Sequence, residues 1–418
     1  WDLVCGKASL RSAAQASIAI GKFAGALFFG FFADKFGRKW AFILAVILYI
    51  VAGPMASITY SYSFFIFLRF IIGAAGSGVY ESAYTILSEV TVDPIRTRLG
   101  CIFNISYPVG YMILPALALY FDDWRSLQLI ISLPALLLLV NCWFIPESPR
   151  WLLTQGRRDE ALTLVKNKIE GKQLKLVEDN FNHLPSDVNE SGHHWNKKLQ
   201  AALARLFIFL SESELRNRIF ICYFAWFAAS LSYYAIALNA DNFTANRYLY
   251  VALNGLVEFP GYIVPLLILK YLGRKIASAS LFIIAGVALL SILIIPEGYS
   301  ELVLGVALIG RFCMCAVFAI IILYTSELFP TTIRNTAIGT SLTMAQFGCI
   351  AAPFVVDLLG SHAWYIPSTI CGITSVSAGM MIMLLPETKD KPLLDSIEEI
   401  KDTDGSGRVS LANCCLFR

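Results

Sequence analysis

Lys22, Arg69, Glu81, Glu258 and Arg311 all lie inside long apolar stretches of this 418-residue chain. A charge in such a stretch is costly, so it faces a cavity or a partner. Tyr80 and Tyr84 flank Glu81 at helical spacing, with Ser77 and Ser88 on the same face. A carboxylate among aromatic rings suits an organic cation: the acid supplies the counter-charge, and a ring face adds about 0.5–2 kcal/mol of cation–π attraction. Lys22 lies 12 residues before Asp34, and Glu81 lies eight before Glu89. At about 1.5 Å per residue they sit about 18 and 12 Å from the same edge, within reach of a long lysine side chain. Glu81 is therefore either a substrate counter-ion or half of a buried ion pair. A second set of charges falls at the ends of the apolar stretches: Asp34, Arg38, Glu89, Arg96, Glu147, Arg150, Arg274, Glu327, Arg334 and Glu387. Carboxylates and guanidinium groups there can pair, partly bidentately, and pairs made in only one conformation bias a two-state equilibrium. Solvated anchoring charges are the plainer alternative.

The elements that must position these residues are membrane helices. Charged residues make up 15% of the chain and hydrophobic ones 57%, against about 25% charged in a soluble domain. Apolar stretches recur at 12–33, 40–58, 63–88, 99–120, 125–145, 218–238, 249–269, 276–295, 300–325, 335–357 and 364–385. Each is long enough to cross a hydrocarbon core of about 30 Å. The net charge of +3 gives no basic field for nucleic acid. Lysine and arginine collect in alternate short loops, at Lys35, Arg38 and Lys39, at Arg96 and Arg98, at Lys270, Arg274 and Lys275, and at Arg334. That side is cytoplasmic by the positive-inside rule, with the 146–217 loop and the C-terminus on it. Most of the ten cysteines lie in apolar runs and pack as small hydrophobes. Cys5 has the option of an outer disulfide, and Cys414 and Cys415 of acylation. His193 and His194 read as solvated. No metal spacing, Walker loop, nucleophile elbow or dinucleotide fingerprint occurs, so no cofactor, metal or enzyme chemistry is expected.

Short patterns occur twice. Gly37-Arg38-Lys39 recurs as Gly273-Arg274-Lys275, Glu89 with Arg96 as Glu327 with Arg334, and Pro146-Glu147-Ser148 as Pro386-Glu387-Thr388, at offsets of 236, 238 and 240 residues. A near-constant offset marks an internal duplication, and two facing bundles with the substrate between them are a transporter design. The repeat places a counterpart of 218–238 before residue 1. The expectation is twelve helices, six per half, with the first missing from this chain.

The run Gly30-Phe-Phe-Ala-Asp34-Lys-Phe-Gly37-Arg38-Lys39 resembles the loop motif of the major facilitator superfamily. Pro146-Glu-Ser-Pro-Arg-Trp-Leu152 and Pro386-Glu-Thr-Lys389 extend the likeness. Trp1-Asp-Leu-Val-Cys5, Tyr84-Thr-Ile-Leu-Ser-Glu89, Val257-Glu258-Phe-Pro260 and Ser326-Glu-Leu-Phe-Pro-Thr-Thr-Ile-Arg-Asn335 look like the organic cation, anion and zwitterion transporters of solute carrier family 22. The resemblance implies an all-α membrane protein with the major facilitator fold of two pseudo-symmetric six-helix bundles, and a cytoplasmic gate built from the end-of-helix charges. It also implies that Tyr80, Tyr84, Tyr223, Trp226, Phe227, Tyr233 and Glu258 line the substrate cavity. Cation transporters of the family carry an aspartate, and anion and carnitine transporters an arginine, where this chain has Gln346; a family lysine is replaced by Ser77. The second loop motif has Lys270 and Tyr271 where an aspartate and an arginine are expected.

The sequence therefore divides into an N-terminal bundle (1–145), a cytoplasmic loop with short helices (146–217), a C-terminal bundle (218–385) and a tail (386–418). The expected function is secondary transport of small organic ions across the lipid bilayer of the plasma membrane by alternating access, by a monomer, with cations or zwitterions favoured. A sugar-porter-like carrier, an organic anion carrier and a non-transporting binding protein of the same fold are the alternatives. Asn242-Phe-Thr244 is a glycosylation sequon in an outer loop.

Overall fold

The computed structural model describes residues 1, 3, 7–91, 95–166, 212–243, 246–296 and 298–389. Among them there is no strand. The chain forms two compact units, Trp1–Asn196 and Lys197–Arg418.

The first unit contains α1 (Ala8–Phe36), α2 (Arg38–Ile58), α3 (Tyr62–Val90), α4 (Ile95–Tyr120), α5 (Trp124–Ser132), α6 (Leu137–Phe144), α7 (Pro149–Thr154) and α8 (Arg158–Lys166). Gly37 separates α1 from α2 with φ +111°, a conformation open to glycine at little cost. Pro134 sits in a 3₁₀ turn, Leu133–Leu136, between α5 and α6, where its missing N–H and ring disfavour continued α-helix. Asp123 and Ser148 cap α5 and α7 by accepting the N–H of Ser126 and Trp151. The seam between α1 and α3 is made of glycine. A Cβ at Gly21 would strike the Phe70 carbonyl, one at Gly25 the Ala74 backbone, and one at Gly73 the Ile18 carbonyl. Membrane helices lack a hydrophobic drive to associate and gain from backbone approach instead.

The second unit contains α9 (Ser213–Leu238), α10 (Ala240–Phe243), α11 (Arg247–Tyr271), α12 (Arg274–Ser291), α13 (Ser300–Leu328), α14 (Thr331–Phe354) and α15 (Ile366–Ile382), with a π-helical turn at Val355–Leu359. Helix α9 packs along α14 and α15, and α12 along α13 and α15. Trp226, Phe282, Met314, Tyr324 and Phe329 fill its core.

Nine helices among the described residues are long and apolar enough to span a membrane, and Ile105–Tyr120 and Ile366–Ile382 are shorter apolar helices. All eleven apolar stretches of the sequence fall on helix. Large apolar side chains such as Leu27, Ile58, Leu137, Trp143 and Phe144 are exposed, as expected of surfaces solvated by lipid.

Candidate functional site

The duplicated motifs build the same cluster twice, once in each unit. In the first, Glu147 accepts the backbone N–H of Arg38 at 2.9 Å and of Lys39 at 3.2 Å. These are orphan donors of the α2 N-terminus, where a carboxylate also meets the positive end of the helix dipole. The glycine of the motif is there to admit that carboxylate: a Cβ on Gly37 would run into it. The guanidinium of Arg38 then bridges Asp34 at 3.1 Å and Glu89 at 3.4 Å. In the second unit Glu387 accepts the N–H of Arg274 at 2.8 Å and of Lys275 at 3.2 Å, and Gly273 again makes room for it. Arg274 pairs with Glu327 at 3.1 Å.

The copies differ where the sequence does. Lys270 replaces the bridging acid Asp34, and Glu327 takes Thr388 Oγ1 as a second donor at 2.6 Å. The equivalent helix-end carbonyls are satisfied by unlike donors. Trp151 Nε1 donates to the Asp34 carbonyl at 3.0 Å, whereas Lys389 Nζ donates to those of Lys270 and Tyr271 at 3.4 and 3.0 Å. Arg334 Nε donates to the Phe329 carbonyl at 3.3 Å, and Arg150 is exposed on α7. Thr388 belongs to the repeated Pro-Glu motif, and Trp151 and Lys389 lie just beyond it, but motif spacing alone gives none of the three a partner.

Glu81 is half-buried on α3, one turn after the buried Gly78 and next to the buried Ser82. Its Oε1 accepts from Ser77 Oγ one turn back, at 3.0 Å. Glu81, Ser82, Asp34 and Arg38 share the wall of a cavity of about 220 Å³ between α1 and α3. Tyr80 and Tyr84 are 49% and 41% exposed, with rings stacked at 6.2 Å and 4°. Phe103, from α4, packs against both; nothing in the sequence singled it out.

In the second unit Glu258 and Arg311 form an ion pair whose side chains are both 0% exposed. Tyr233 OH donates to Glu258 Oε1 at 2.6 Å, the Tyr233 carbonyl accepts from Arg311, and the guanidinium lies 3.5 Å from the Tyr233 ring centre. Trp226 is 2% exposed and donates to Thr325 Oγ1 at 3.1 Å. Tyr223, Phe227 and Gln346 are half-buried on α9 and α14. Arg69, on α3, has as partners the Ala14 carbonyl, Gln15 and the Phe65 ring.

Among the described residues no group of His, Cys, Asp and Glu is arranged to hold a metal. The side chains of Arg96 and Asn242, together with Thr244, Cys5, His193, His194, Cys414 and Cys415, lie outside the described residues.

A family model described as sugar (and other) transporter matches residues 5–400. An organic cation transporter protein of Drosophila melanogaster is 33% identical over 399 residues, which cover 96% of this chain and 73% of that one. Solute carrier family 22 member 6-A of Xenopus laevis is 32% identical, covering 96% of this chain and 71% of the relative. The chain belongs to the major facilitator superfamily, in its solute carrier 22 group. Solute carrier family 22 member 3 of Rattus norvegicus, at 31% identity, covers 97% of this solute carrier and 72% of its own length. The fold agrees: the inward-open xylose transporter XylE of E. coli superposes with a TM-score of 0.71 over 93% of this chain and 88% of that one, at 17% identity. The chain is a multi-pass membrane transporter of this family.

Proposed function

We propose that this solute carrier moves small organic cations or zwitterions across the plasma membrane by alternating access, as a monomer. The observation that carries the charge preference is Glu81, which follows Tyr80 directly in α3 and precedes Tyr84 by three residues, both tyrosine rings being exposed and parallel. Acid and aromatic faces together favour a cation, and Ser77 holds the carboxylate by a hydrogen bond without neutralising it. Gln346 adds no competing charge. Relatives are named for both cation and anion transport, so the preference rests on this chain's own residues. The Arg38–Glu89 and Arg274–Glu327 pairs, with Asp34, Glu147, Arg150, Arg334 and Glu387, are proposed as parts of a cytoplasmic gate, together with Arg96. Glu258, Tyr233 and Trp226 set the packing beside the substrate path, and Tyr223, Phe227 and Gln346 contact the substrate. The C-terminus is assigned to the cytoplasm by the positive-inside rule, with the two bundles, loop and tail divided as the sequence suggests. Asn242 is the proposed glycosylation site.

Uptake of labelled cations, zwitterions and anions into cells expressing the protein tests the reading. Saturable uptake of cations or zwitterions, reduced by Glu81→Gln, is expected. Uptake of anions alone would overturn the preference, and ligand binding without uptake would favour the non-transporting alternative.

A further inference from the structure

The tyrosine rings on α3 lie parallel, an arrangement their own helix does not require. Residues four apart on a helix lie one above the other, but each ring retains a choice of rotamers. Exposed rings would ordinarily populate several of them, and a ligand that needs one arrangement must order them on binding. Here the ring planes differ by 4° with centroids 6.2 Å apart. Phe103, on α4, packs against both rings. Its ring centre lies 5.2 Å from Tyr80 and 5.8 Å from Tyr84, tilted by 49° and 53°. Both separations fall in the favourable range for aromatic pairs. Phe103 is itself only partly exposed, whereas the two tyrosines present nearly half their surface.

We propose that Phe103 is a positioning residue for cation recognition: it braces the Tyr80 and Tyr84 rings into one shelf beside Glu81, so that an organic cation meets two aromatic faces already aligned. The inference rests on the reading of this shelf as the substrate-binding surface. Phe103 acts through the tyrosines, and truncating it releases their rings while leaving Glu81 and its Ser77 hydrogen bond in place.

The test is a double-mutant cycle read with labelled tetraethylammonium, using uptake normalised to surface protein and equilibrium binding to the purified full chain. Phe103→Ala is expected to raise KM and Kd about 5–10-fold, the equivalent of one lost aromatic contact, with kcat changed far less. Phe103→Tyr restores the affinity. In a Tyr80→Ala/Tyr84→Ala background Phe103→Ala has no further effect, because there is no shelf left to brace. An equal loss of affinity in both backgrounds would overturn the positioning role. So would unchanged affinity in Phe103→Ala while Tyr80→Ala and Tyr84→Ala each weaken binding; the shelf reading would then survive without its brace. If neither tyrosine substitution alters affinity, the shelf reading fails and the inference with it. Should Phe103→Ala fail to reach the surface, Phe103→Leu, which keeps an apolar side chain but not the ring, replaces it, and normal affinity in that variant sinks the proposal.

Discussion

Glu147 accepts the backbone N–H of Arg38 at 2.9 Å, though 109 residues separate them in the chain. The contact explains why a glycine precedes the arginine and why an acid follows the last apolar stretch of the half. The carboxylate enters a notch that any Cβ on Gly37 would fill, and it satisfies donors that α2 cannot satisfy itself. Glu387 repeats the arrangement at Gly273 and Arg274.

Removing either acid should weaken its own half. Glu147→Ala and Glu387→Ala are each expected to lose about 1–2 kcal/mol, as for loss of a helix cap aided by the dipole. The glutamine variants keep an acceptor oxygen and should lose less. Thermal unfolding of the purified chain, followed by size-exclusion fluorescence, reads the ranking; equal loss in the Ala and Gln variants would refute the capping account.

The Glu258–Arg311 pair has no exposed surface. Deleting one member strands the other charge in a low-dielectric interior, which costs about 3–5 kcal/mol. Glu258→Gln and Arg311→Met should each sharply reduce the yield of monodisperse protein. The double variant should recover much of the loss, since no charge is then left unpaired; a double variant worse than both singles would contradict this.

Two glycines should respond oppositely to alanine. At Gly25 the new methyl meets the Ala74 backbone, and overpacking of that kind costs about 1–3 kcal/mol. Gly305 has nothing within 4 Å, so alanine there gains up to about 1 kcal/mol of helix propensity. Melting temperatures of Gly25→Ala and Gly305→Ala should move down and up respectively.

Charge selectivity should follow residues 77 and 81. Glu81→Gln is expected to weaken cation affinity about tenfold through loss of one charge–charge contact. Ser77→Lys, which sets an ammonium one helical turn from the carboxylate, should weaken it comparably and admit anions. Competition by cations and anions against a labelled substrate measures both, and an Ser77→Lys variant with unaltered selectivity would detach this face from recognition.

Much of this was legible in the sequence because membranes impose simple rules. Backbone groups in lipid must be satisfied within the segment, so each apolar stretch of about 20 residues is a helix. The offset of 236 to 240 residues between the Gly-Arg-Lys and Pro-Glu motifs likewise forecast two clusters of one design. Hydropathy and repetition say which residues share a helix end, but not which atoms meet. Tertiary structure decided that Glu147 bonds the backbone of Arg38 rather than a side chain, that Trp151 and Lys389 do the same work on equivalent carbonyls, and that Glu258 chooses Arg311. It also sorted the aromatic residues. Tyr80 and Tyr84 stay open while Trp226 and Tyr233 are packed away. A stripe of rings at helical spacing reads the same in both cases, and only the helix lying against it fixes which face is covered.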